Sequence, residues 1–212
     1  MKKTRFLLAA IAFVPAFLFT ACSTDSEKEG EEAVTEPVCS YNYDGSATTF
    51  EWTAYKFADK SGAVPGTFDN IIVLSDPNED PKKAIESISF VIDTKEVNSQ
   101  NEDRDKKISE FFFGTINTEK ITGEIKELKD NGKAVIEVTM NGISFEVEGD
   151  YTLDGADFSY EATIDVSSWN GMPGIEALNK QCFDLHKKAP EEESKLWSDV
   201  TLKLTTKLKS DC

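Results

Sequence analysis

Between Lys133 and Val166 the chain alternates apolar and polar residues, and two glycine-containing turns interrupt the alternation. Ala134, Ile136, Val138 and Met140 share one parity, and Asn141-Gly142 follows. Ile143, Phe145, Val147, Tyr151 and Leu153 then alternate with Ser144, Glu146, Glu148, Asp150 and Thr152 as far as Asp154-Gly155. Phe158, Tyr160, Ala162, Ile164 and Val166 complete the set against Ser159, Glu161, Thr163 and Asp165. Successive strand side chains point to opposite faces, and Asn-Gly and Asp-Gly accept the positive φ of tight hairpins. The pattern predicts a three-strand meander with one apolar and one acidic face.

The same reasoning predicts strands over Thr48–Phe57, Gly66–Leu74, Ala84–Asp93, Lys120–Leu128 and Asp199–Leu208. The first has Phe50 and Trp52 on one face and Tyr55 and Phe57 on the other, which leaves its orientation open. Ile88, Phe90 and Ile92 share a face, as do Val200, Leu202 and Leu204. With the meander this makes about eight strands, a number whose closure leaves room for side chains or one small ligand. Two stretches break the pattern and read as helical insertions. Asn98–Phe113 is polar and then ends in Phe111-Phe112-Phe113, while Pro173–Lys188 spaces Ile175, Leu178, Cys182 and Leu185 roughly as a helix does.

The N-terminus reads as an export signal. Lys2, Lys3 and Arg5 precede an apolar run from Phe6 to Phe19, too short for a membrane span of about 20 residues. The run closes on Leu18-Phe19-Thr20-Ala21-Cys22, which resembles a bacterial lipobox with Phe19 where Leu is usual. That resemblance implies a signal peptide over 1–21, cleavage before Cys22 and lipid attached to its sulfur. Residues 22–38 are acidic, cannot bury apolar surface, and read as a disordered tether. Residues 39–212 are the expected folded domain. By enteric sorting rules Ser23 permits passage to the outer membrane, and the acidic residues after Cys22 resemble surface-export tags. The expected location is the cell envelope, as an outer-membrane lipoprotein facing the periplasm or the cell surface.

Charge narrows the partners. With 23 Lys+Arg against 39 Asp+Glu the net charge is −16, and the signal carries basic residues and no acids. A nucleic acid or an anionic lipid surface would be repelled. The chain has one His, His186, which excludes a multi-histidine metal site. With Cys22 lipidated, Cys39, Cys182 and Cys212 remain. In an even-stranded antiparallel barrel the start of the first strand lies beside the end of the last, as a Cys39–Cys212 bridge requires. Cys39–Cys182 and Cys182–Cys212 stay open.

Several separate segments resemble the YceI family, the lipocalin-like isoprenoid-binding domains of bacterial periplasms. Phe50-Glu51-Trp52 through Lys56 to Gly66-Thr67-Phe68 is similar to that family's opening. Ile92-Asp93-Thr94, then Asn101 to Ile108 with its Arg104-Asp105 pair, then Phe111-Phe112, resembles its most recognisable signature. Ile164 to Met172 is similar to its strand running into a Gly-Met turn, and Phe57 stands where the family often has a His. The cysteines and Leu196-Trp197-Ser198-Asp199 look like features of a lipoprotein subgroup. The resemblance implies an all-β, eight-stranded antiparallel lipocalin-like barrel holding a long isoprenoid or similar amphiphile. Its expected lining is Trp52, Ile88, Phe90, Phe145, Val147, Tyr160, Ile164, Leu202 and Leu204.

Candidate chemistry is thin. Cys182 and His186 stand four residues apart on the expected helix and read as a core thiol beside a surface His. Arg104, between Asp103 and Asp105, is expected to pair locally and pin its segment to the barrel. Glu146, Glu148 and Asp150 read as a solvated outer stripe. No phosphate-cradling glycine loop, Ser-His-Asp set or Cys-x-x-Cys occurs, so no enzyme and no cofactor are expected. The expected function is an anchored lipoprotein binding an apolar amphiphile, with a homodimer allowed for. The alternative is a surface module with a filled barrel that binds a glycan or protein through its loops. Periodicity alone cannot separate a packed interior from a cavity.

Overall fold

The computed structural model describes residues 38–212. The expected signal peptide, the lipid site at Cys22 and all but Val38 of the tether lie outside these residues. In chain order the elements are β1 (Ser40–Asn42), β2 (Thr48–Lys56), β3 (Gly62–Phe68), β4 (Ile71–Leu74), α1 (Pro81–Glu86), β5 (Ser89–Asp93) and β6 (Val97–Asn98). Then follow α2 (Glu102–Lys107), β7 (Lys120–Leu128), β8 (Lys133–Met140), β9 (Ile143–Asp154), β10 (Asp157–Asp165), α3 (Met172–Gln181), β11 (Leu196–Lys207) and β12 (Lys209–Asp211). α2 runs directly into a π-helical turn, Ile108–Phe113, and a 3-10 turn, Phe183–His186, follows α3.

Ten strands form one curled antiparallel sheet in the order β4-β5-β7-β8-β9-β10-β11-β2-β3-β6, and β1 pairs separately with β12. The meander is β8-β9-β10. Met140 pairs with Ile143 across Asn141 and Gly142, whose φ angles of 51° and 69° make the mirror-image turn that suits strand twist. At the second turn the loop residues are Gly155 and Ala156, between paired Asp154 and Asp157. Gly155, at φ 58°, therefore opens that turn.

The expected count of eight strands is corrected to ten in this sheet, because two backbone paths are broken. The Gly66–Leu74 strand starts earlier, at Gly62, and is interrupted at Asp69–Asn70 between β3 and β4. A 3-10 turn at Thr94–Glu96 separates β5 from β6. Hydrogen bonding bridges the breaks: Asp69 N–H donates to the Glu96 carbonyl at 2.8 Å, and Asp93 N–H to the Asn70 carbonyl at 3.3 Å. The Ala84–Asp93 strand is corrected as well. Asp80 caps α1 by accepting from Lys82 N–H and Pro81 starts it, so Ala84–Glu86 are helical and the strand begins at Ser89.

α1 closes one end of the curled sheet. Ile85 is fully buried there with Leu128, Ala134, Phe158 and Leu208. The Glu86 carboxylate accepts from the Leu128 backbone N–H at 2.9 Å, tying α1 to the β7–β8 end. The opposite end carries α2, α3 and the 108–113 turn, where Phe112 and Phe113 meet edge to face and Phe113 reaches Phe68. Trp169 is 1% exposed at this end. Its indole N–H donates to the Val138 carbonyl at 2.9 Å, and its own carbonyl accepts from Asn141. Cys39 and Cys212 are joined in a disulfide that secures the β1–β12 ribbon, and Cys182 is a buried free thiol.

Candidate functional site

Between these two ends the interior is hollow. The cavity measures about 910 Å³, toward the upper end of the roughly 300–1,000 Å³ usual for ligand pockets. Every second residue of β2 lines it, in the order Thr48, Phe50, Trp52, Ala54, Lys56. On β11 the lining runs through Leu196, Val200, Leu202, Leu204 and Thr206. The cavity therefore follows eight residue steps of β2, about 26 Å at roughly 3.3 Å per residue. The orientation of β2, open from sequence, is settled: Phe50 and Trp52 face in, while Tyr55 points outward and bonds Thr201 at 2.8 Å.

Trp52 narrows the middle. Its ring lies flat over Gly66, where an added Cβ would stand 2.2 Å from the ring, and its N–H donates to the Thr67 carbonyl at 3.0 Å. Gly66 is thus required by the close approach of the indole rather than by its own backbone angles. Around Trp52 the wall is almost wholly apolar, with Ile88, Phe90, Val147, Tyr160, Ile164, Leu202 and Leu204. These are eight of the nine expected lining residues, counting Trp52. The ninth, Phe145, is corrected: it has the inward parity but is 50% exposed, packs edge-on against Trp169 and stays outside the cavity lining. Parity sets the face of a strand residue, and position along the strand decides whether that face is still inside the barrel.

The two ends of the cavity differ in chemistry. At the α1 end the hydroxyls of Thr48 and Thr206 bond each other at 2.6 Å. At the helical end the lining includes Lys56, Asp103, Arg104, Lys107, Cys182 and His186. Sequence reasoning missed Lys56 as lining, although its parity with Phe50 and Trp52 carries the signal once β2 is oriented. Arg104 does pin its segment, by donating from Nε to Ser99 Oγ at 2.6 Å and from Nη2 to the Ser99 carbonyl at 2.7 Å. Asp105 caps the same serine by accepting from its backbone N–H at 2.8 Å. Glu146, Glu148 and Asp150 lie on the exposed face, with Glu148 paired to Lys129 and Asp150 to Lys133.

His186 is the second correction, because it is buried rather than at the surface. The 3-10 turn after α3 folds it inward, where its Nδ1 lies 2.8 Å from the Asn179 side-chain oxygen. An amide oxygen only accepts, so the ring carries its proton on Nδ1. Burial, and then the charge of Lys56, push its pKa from 6.5 down to about 4. Burial likewise raises the Cys182 thiol, against the opposing pull of Lys107 and Lys56, and raises the Tyr160 phenol. Neither group is prepared to ionise as a nucleophile or base would be.

An acid response follows from His186. Unfolded, the imidazole takes up its proton near pH 6.5, but folded only near 4, so the unfolded chain binds more protons between these values. Stability from this group is complete above the higher pH and is lost as pH falls toward the lower one. The melting temperature is expected to drop across that window, and His186→Gln is expected to flatten the drop. An equally steep acid slope in H186Q would assign it to other groups.

Residues 41–208 match the YceI-like domain family. Among solved structures, the chain resembles a polyisoprenoid binding domain from Saccharophagus degradans implicated in plant cell wall breakdown. The likeness has a TM-score of 0.55 at 12% identity and covers 82% of this chain and 99% of that one. It also resembles BcnA of Burkholderia cenocepacia, with a TM-score of 0.53 at 16% identity over 81% of this chain and 100% of that one. No curated protein matches the chain in sequence.

Proposed function

The chain belongs to the YceI-like domain family, and from that premise we propose that it binds one long apolar amphiphile, an isoprenoid or similar lipid, inside its barrel. The observation that carries this reading is the hollow interior, about 910 Å³ in volume and extending along β2, with a mostly apolar wall between the polar Thr48 and Lys56. A cavity of that shape would strand disordered water against hydrocarbon, and an elongated tail removes that surface at about 25 cal/mol per Å². The description of the Saccharophagus domain as polyisoprenoid binding supports the choice of tail. Taking β3 with β4, and β5 with β6, as single bent strands reduces the ten segments to a ring of eight. In that ring β2 neighbours both β11 and β3.

The alternative, a filled barrel acting only through its loops, lacks its premise. The proposed role is carriage without catalysis. Anchoring through lipid on Cys22 would hold the barrel at a membrane of the cell envelope, the outer membrane by the sorting argument, beside a source of such ligands.

The test is to purify the full chain, extract it with organic solvent, identify what is released by mass spectrometry, and reload the emptied protein with isoprenoids. One amphiphile per chain is expected. Ala54→Trp places an indole in the middle of the void, and there it is expected to weaken loading at least about 30-fold, equivalent to about 2 kcal/mol of binding energy. Because it fills empty space, its melting temperature should stay near that of the parent. Recovery of no amphiphile together with failure to load any, or full loading of A54W, would overturn the reading.

A further inference from the structure

We propose that Lys56, Arg104 and Lys107 hold an anionic head group, so that the amphiphile in this barrel is a carboxylate or phosphate ester on a long apolar tail. This rests on the carrier reading above and adds what the ligand's polar end must be. All three cations line the cavity at its helical end, and all are half-buried. Arg104 and Lys107 are three residues apart on α2 and so share a helix face. Lys56 ends β2 opposite, with its ammonium 3.1 Å from the Leu185 carbonyl.

Their lack of counter-charge is the anomaly. The protein carries a net charge of −16, and most of its other described lysines meet acids, as Lys129 meets Glu148, Lys133 meets Asp150 and Lys203 meets Glu161. Of those that do not, Lys83, Lys120 and Lys180 are exposed and Lys195 lies over the Trp197 ring. Among the described residues, none of the ion pairs uses Lys56, Arg104 or Lys107. Asp69 and Asp103 also line the cavity, but Asp69 accepts from Asn98 at 2.7 Å and Asp103 is exposed. Arg104 spends part of its guanidinium on Ser99 and keeps the rest of the fork free. Asp105 reaches Arg104 only through the Ser99 hydroxyl, which accepts from the guanidinium and donates to the carboxylate, while Lys56 and Lys107 have no acid among the described residues. Such a cluster, partly withdrawn from water, is unfavourable unless an anion completes it.

The experiment compares three ligands with one tail, geranylgeraniol, geranylgeranyl monophosphate and geranylgeranoic acid, titrated calorimetrically into the emptied full-length protein. At least one anionic ligand is expected to bind about tenfold or more tighter than the alcohol, the scale of one charge-assisted contact. Which of the two leads names the source. In Lys56→Met/Lys107→Met the anionic ligands' advantage over the alcohol should shrink to about twofold, and the single Lys107→Met should lose part of it if the double variant folds poorly. Equal binding of all three, or an anionic preference untouched by these variants, would overturn the head-group site and leave the carrier standing. Failure of all three to bind would overturn both.

Discussion

Replacing Trp169 by alanine is expected to lower the unfolding free energy by about 3–5 kcal/mol, measured as a shift of the urea midpoint. The residue is 1% exposed, and truncation would leave a void that the surrounding strands cannot collapse into without breaking register. It would also remove the indole N–H that the Val138 carbonyl accepts at 2.9 Å, a net loss of about 0.5–1.5 kcal/mol. The two costs overlap, so their sum is an upper bound. Phe145→Ala is the matched control: the ring packs on the same indole but is half exposed, and its removal should cost about 1 kcal/mol. If W169A fell no further than F145A, Trp169 would not be the keystone of this end of the barrel. Val138 and Met140 belong to the cavity wall beneath it, so W169A should also loosen ligand loading.

Removing the Cys39–Cys212 bridge should cost on a similar scale. The two cysteines are 173 positions apart, and cross-linking so long a segment restricts the unfolded chain by about 5 kcal/mol in the chain-entropy account. Measured losses for native bridges more often run about 2–5 kcal/mol. In Cys39→Ser/Cys212→Ser the urea midpoint should fall while the slope of the transition steepens, because the uncrosslinked chain exposes more surface when it unfolds. The folded state should change little, since the bridge joins the short β1–β12 ribbon and not the main sheet. Ligand loading at low denaturant should therefore survive. An unchanged midpoint would mean that the ribbon is already open in the native protein or that the unfolded chain is compact without the bridge.

The meander was legible because period-two alternation and Asn-Gly punctuation are local properties of a strand pair. For the same reason parity puts Ile88, Phe90, Val147, Tyr160, Ile164, Leu202 and Leu204 on faces that line the cavity, while it left the face of Trp52 open. Phe145 was misplaced, since parity does not say how far along the barrel a residue sits. Lys56 was hidden by the even distribution of aromatics on β2, which only pairing with β11 and β3 resolves. His186 was misplaced because a helical period was extended through Cys182, where α3 has already ended and a tighter turn rotates the imidazole inward. The strand count failed at Asp69–Asn70 and Thr94–Glu96, where one ladder continues across a backbone break and no residue pattern marks it.

By itself the sequence determined which residues alternate, where the hairpins turn, the family resemblance and the excess of acid over base, since each depends on neighbours in the chain. Tertiary structure alone decided that the interior is hollow, that Cys39 reaches Cys212, and that three cations converge on one end of the hollow. Those facts depend on how side chains from distant strands and helices fill, or leave unfilled, a shared volume, and on which charges meet across it. No local period carries that information.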